Sequence, residues 1–115
     1  MGHVALYRQR LVGMMGGPPI ASDLERHFGS GSRPEAVPAS VQGADLLRAF
    51  HEAHQAMAGR WEAQTEADLA KPLGRTLRDG GDTIGAGLRF LQWHETYHLG
   101  QLGLLRRLMG KPGIA

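Results

Sequence analysis

The stretch Trp93-His94-Glu95-Thr96-Tyr97-His98-Leu99-Gly100-Gln101 places two imidazoles four residues apart inside a long apolar-periodic run. Ile84, Leu88, Leu91, His94, His98, Leu102, Leu105 and Met109 recur at steps of three and four, the rhythm of a helix with one face turned to a core. Both histidines fall within that stripe. Side chains at i and i+4 lie about one turn apart on the same helix face, close enough to bind one metal ion. Neutral imidazole nitrogen suits zinc and its first-row neighbours, so His94 and His98 are candidate ligands, with solvated surface histidines as the alternative. Glu95 directly follows the first histidine, as the glutamate does in the zinc-protease pattern. The same letters also occur in bundle proteins, and the lack of any sheet-like segment around them argues against a protease.

Outward from this stretch, Asp82 or Thr83 caps the helix, which ends at Gly110 with Lys111-Pro112-Gly113 behind it. A second helix is expected from an N-cap at Ser40 to about Ala70, before Pro72. Its apolar stripe would be Gly43, Leu47, Phe50, His54, Met57 and Trp61. A first helix runs from the start of the chain to about Met15, where Gly16-Gly17-Pro18-Pro19 stops it. From there to Ser40 the chain reads as a loop with one helical turn around Ser22 to Phe28, a functional rim or a crossover. No alternating strand pattern and no repeat occurs. The reading is an all-α bundle, whose natural closed form has four helices.

At 115 residues, 42% hydrophobic and 21% charged, the chain has apolar material for a single domain spanning 1–115. Its formal charge of +2 comes from Lys and Arg scattered among Asp and Glu, without the clustered basic patch of a nucleic-acid binder. Arg106, Arg107 and Lys111 sit where positive charge suits the end of a helix. The absence of cysteine excludes disulfides, Cys-ligated zinc and a cysteine nucleophile, and is compatible with a cytoplasmic protein. No apolar stretch is long enough to span a membrane.

His3-Val4-Ala5-Leu6-Tyr7-Arg8, then Met15-Gly16-Gly17, a proline-rich loop, and His94-Glu95-Thr96-Tyr97-His98-Leu99-Gly100-Gln101-Leu102-Gly103-Leu104-Leu105-Arg106-Arg107 followed by Gly110 resemble the DinB/YfiT-like family. The C-terminal string is the specific part, and the likeness covers nearly the whole chain. The resemblance implies an up-down four-helix bundle with one metal ion, usually zinc or nickel, on three histidines. One ligand comes from the second helix of such a bundle and two from the fourth. Carried onto this chain, they are His3, His94 and His98. The family's first helix and the start of its second have no counterpart here, so three main helices are expected. We expect an upstream start or a fragment as the reason.

Around these ligands, Gln101 lies on the face of His94 and His98. There it suits a hydrogen bond to a ligand imidazole or a substrate, and equally a polar position at a bundle seam. Glu95 suits orienting a ligand or handling a proton, and equally an ion pair with a surface arginine. These two are the candidate catalytic residues. Tyr97 suits the pocket wall or outward packing, Trp61 and Trp93 suit core or pocket-rim packing, and His54 suits a hydrogen-bonded core position. His51 pairs with His54 at i, i+3, and His27 sits in the loop with no role assigned.

Three imidazoles with an open position suit a catalytic metal. The resemblance implies a thiol-dependent S-transferase in which the metal activates mycothiol, bacillithiol or glutathione for attack on an electrophile. Metal-dependent hydrolases also occur among similar proteins. The other class is a non-catalytic, metal-stabilised bundle that dimerises or binds a partner. A homodimer is expected, because a three-helix remnant leaves an apolar groove for a second copy to cover.

Overall fold

Five α-helices and one 3-10 turn make up the described part of the chain, residues 1–19 and 23–113 of a computed structural model. The helices are α1 (Gly2–Met14), α2 (Leu24–Phe28), α3 (Gly43–Glu62), α4 (Glu66–Leu69) and α5 (Ile84–Leu108), and no strand occurs among the described residues. The all-α class read from the sequence is the observed one.

The bundle is built around α1. Ala5, Leu6, Leu11 and Val12 are buried together with Arg8 and Gln9, so this helix is enclosed on nearly every side. Burying each large apolar side chain stabilises the fold by roughly 2 kcal/mol. Ala5 and Leu6 pack with Leu24 of α2 and with Leu46, Ala49 and Phe50 at the start of α3. At the other end, Met14 packs against Leu73, Leu77 and Ala86.

Helix directions follow from these contacts. The start of α1 meets the start of α3, so the two run parallel. In contrast, α5 is antiparallel to α1, because His3 meets His94 while Leu11 approaches Gly87. A Cβ at Gly87 would lie 2.9 Å from Leu73 Cδ1 and 3.3 Å from Leu11 Cδ2, so glycine permits the close seating of α5.

The second helix differs from its expected span of Ser40–Ala70. It begins after Gln42, an extended N-cap with no side-chain cap bond, and stops at Glu62. The interruption has a local cause. Thr65 Oγ1 accepts from Asp68 N while Asp68 Oδ2 accepts from Thr65 N, a capping box that starts α4 afresh. The buried face of α3 is also rotated from the expected stripe. Leu46, Ala49, Phe50, Ala53 and Met57 are wholly or partly buried, whereas Gly43, Leu47, His54 and Trp61 are exposed. A one-residue shift turns a helix face by about 100°, and only Phe50 and Met57 belong to both sets.

Thr83 caps α5 by accepting from Ala86 N. An isolated Pro72–Thr83 bridge and the Ile84 N–H donation to Lys71 O tie the preceding loop to the start of α5. The helical turn expected around Ser22 to Phe28 is α2, Leu24–Phe28; Ser22 lies outside the described residues. The first half of the α5 stripe is embedded, with Ile84, Leu91 and His94 buried. Leu102, Leu105 and Met109, expected to face the core, are exposed because this end of α5 runs past α1. No helix among the described residues is long and apolar enough to cross a membrane.

Candidate metal centre

His3, on the first turn of α1, meets His94 and His98, one turn apart on α5, because the two helices cross antiparallel at this point. One ring nitrogen from each histidine lies within 4.8 Å of the others. His3 Nε2 is 3.1 Å and His98 Nε2 is 3.2 Å from His94 Nε2.

The outer ring nitrogens decide which atoms face inward. His3 Nδ1 is 2.8 Å from the carbonyl oxygen of Phe28, which only accepts, so Nδ1 carries the proton and Nε2 the lone pair. His98 Nδ1 is likewise 2.7 Å from Gln101 Oε1. Two lone pairs therefore point at His94 Nε2. A single proton there can satisfy one of them at a time, whereas a cation among the three nitrogens satisfies all. The donor set fits zinc or another first-row divalent ion.

His94 is oriented differently. Its Nδ1 is buried without a hydrogen-bond partner among the described residues. The ring is held by packing, with Tyr7 at 4.7 Å on one side and Phe90 stacked at 5.7 Å, only 19° from parallel. Burial is the main cause that pushes the His94 pKa below its ordinary value. The neighbouring His98 and His3 add to that, and Glu95 opposes it. A neutral imidazole is the form that ligates metal.

The supports of His3 follow from local sequence. Gly2 lets Phe28 lie against the first turn of α1, where a Cβ would meet the phenyl ring at 2.6 Å. Arg10 donates to both carboxylate oxygens of Glu25, at 2.5 and 3.1 Å, and pins α2 beside α1. Together these contacts deliver the Phe28 carbonyl to the imidazole.

Glu95 lies beside the histidines but is engaged elsewhere. Arg8 donates to both of its carboxylate oxygens, Nε at 2.5 Å and Nη2 at 2.7 Å, and the guanidinium lies 4.2 Å from the centre of the Phe50 ring. An ion pair was one expected role of Glu95, but its partner is the buried Arg8 of another helix where a surface arginine was expected. For Gln101, the bond to an imidazole is the contact formed. Tyr97 is exposed and stacks on exposed Trp93, while Trp61 is also exposed and, of the core and pocket-rim positions expected for it, takes the rim of a cleft beside Leu69 and Leu88. His51 and His54 lie on exposed positions of α3 and do not join the three-histidine group. His27 lines a cavity of about 530 Å³ that reaches His3, Tyr7 and His98 from the loop side.

Sequence reasoning missed Arg8, Tyr7, Phe28 and Phe90. Two signals were present. Tyr7 follows His3 by four residues, and Phe90 precedes His94 by four, so each shares a helix face with a histidine. Nothing local announced that a loop carbonyl would meet His3.

The family model of the DinB superfamily matches residues 1–102 of the chain, a span that includes all three histidines. No curated protein and no solved structure matches it.

Proposed function

The chain belongs to the DinB superfamily, and from its three converging imidazoles we propose that it binds one divalent transition metal, zinc or nickel, and acts as a thiol S-transferase. The co-substrate would be a low-molecular-weight thiol such as mycothiol, bacillithiol or glutathione. The observation that carries the metal assignment is the placing of His3 Nδ1 against the Phe28 carbonyl and of His98 Nδ1 against Gln101 Oε1, which leaves their Nε2 atoms facing the third histidine.

A divalent ion with an open position supplies Lewis acidity and lowers the pKa of a thiol beside it. The chain's own residues set the conditions for that chemistry. Gln101 and the Phe28 carbonyl hold two imidazoles in one tautomer, Tyr7 and Phe90 fix the third, and the Arg8–Glu95 pair locks α1 to α5. In the transfer, sulfur forms a bond to the electrophile, the leaving group departs with its electron pair, and the thiol proton passes to solvent. Glu95, held by Arg8, acts in this reading as a positioning residue. Gln101 positions His98.

Cobalt-loaded protein should change its absorption when the right thiol is added at neutral pH. Consumption of thiol with an electrophile should then require the metal and be lost in His98→Ala. Full cobalt loading with no response to any of the three thiols would overturn the transferase reading in favour of a hydrolase or a non-catalytic bundle.

We also propose that the chain pairs with a second copy. Trp93, Tyr97, Leu104 and Leu108 are all exposed on α5, at spacings that return to one face.

A further inference from the structure

A cavity of about 550 Å³ opens between the α1–α3 pair and α5, on the side of the histidines away from the His27 loop. Its volume falls within the range of small-molecule sites. Its apolar wall includes Phe50, Leu99, Leu102 and Leu105, and His3 and His98 stand at its edge. A molecule inside it would touch the same two imidazoles that face the proposed metal.

Three of the polar side chains on this wall are already engaged, while Met1 and Gln92 also line it. Both carboxylate oxygens of Glu95 accept from Arg8, Gln101 Oε1 receives His98 Nδ1, and Thr96 Oγ1 donates to Gln92 O. A charged or heavily hydroxylated body placed here would lose water and gain few partners, which costs free energy. An apolar body would exchange water for carbon on several sides.

We propose that this cavity binds the body of a small apolar molecule, aliphatic or aromatic, whose reactive end lies at His3 and His98. In the transferase reading this is the electrophilic acceptor, so the inference rests on that reading for the role of the ligand. The binding of an apolar body does not require the metal.

The test uses 1-N-phenylnaphthylamine, an uncharged dye that brightens in apolar sites, with the full chain both stripped of metal and loaded with zinc. Metal content is measured in parallel, so failure of the metal reading registers separately from failure of dye binding. One dye per chain should bind in both states. Competing 1-alkanols from butanol to octanol should displace it with affinities that rise about fourfold per methylene.

Leu102→Asn, on the wall, should weaken the dye at least about tenfold, as one large apolar contact is worth that much. Leu108→Asn, outside the cavity on an exposed position of α5, should leave it unchanged. Thr96→Phe, which fills the cavity from an exposed position, should exclude the dye even if Leu102→Asn loses its helical signal. Equal weakening by Leu102→Asn and Leu108→Asn, or alkanol affinities independent of chain length, would overturn the proposal. So would release of the dye in step with a doubling of mass as protein concentration rises, because a second copy would then own the cavity.

Discussion

Gln101 reaches His98 Nδ1 at 2.7 Å, and that single contact both sets the tautomer and stops the ring from rotating. Outer partners of ligating histidines contribute about 10–100-fold to metal affinity. Gln101→Ala should therefore weaken zinc binding about tenfold in a competition titration with a chromophoric chelator, while Gln101→Glu, which keeps an acceptor, should retain most of it. His94 makes a second prediction. Burial lowers its pKa, so the folded chain binds fewer protons than the unfolded chain as pH falls below the ordinary value of about 6.5. Its share of stability is present above that value and lost as pH falls through the lowered folded value. Urea midpoints of the metal-free protein should fall on acidification in this window, and His94→Phe should flatten that dependence. At this scale the sequence was informative where spacing alone brings groups together. His94, His98 and Gln101 lie on one helix face, and their association needs only the period of the helix. The placement of Phe28 on His3 depends on a crossover that no local pattern specifies.

Between elements, the decisive contact is the Arg8–Glu95 pair, which joins α1 to α5 with side chains only 10% and 24% exposed. Removing one partner of a largely buried pair leaves the other unpaired, a loss of about 3 kcal/mol at this degree of burial. Glu95→Ala should lower the unfolding free energy by about that amount in chemical denaturation, with a smaller loss for Glu95→Gln. Zinc affinity should fall in parallel, because α1 carries His3. Gly87→Ala tests the same seam sterically. Alanine is the better helix former by up to about 1 kcal/mol, but its Cβ would press on Leu73 and Leu11. Overpacking costs about 1–3 kcal/mol, so the melting temperature should drop. The α1 and α5 boundaries were legible to within two residues because glycine, proline and Thr83 punctuate them. The α3 boundary was not, since apolar periodicity ran on through the Thr65–Asp68 capping box that restarts the helix. The rotated face of α3 has a related cause: alanines 49 and 53 contribute to the seam but weigh little in a pattern sought among large residues.

For the whole molecule, α5 carries apolar side chains well beyond the packed core, with Leu108 75% and Trp93 61% exposed. Light scattering should give twice the 12.5 kDa chain mass, and Leu104→Glu with Leu108→Glu should return it to the monomer. A parent that stays monomeric at high concentration would contradict the pairing. The all-α class and the three long helices were legible from periodicity, while the parallel course of α1 and α3 is a property of the crossover between them and leaves no mark on either helix. The centre that this arrangement assembles rests on residues 91 positions apart in the chain, His3 and His94. In the proposed function, their meeting builds a metal site. The most direct measurement is metal content by elemental analysis after stripping, reloading with zinc or nickel and exhaustive dialysis. The parent should retain one ion per chain, and His3→Ala, His94→Ala and His98→Ala should each retain little while keeping their helical signal. A parent that retains no ion, or a His94→Ala variant that retains as much as the parent, would contradict the account.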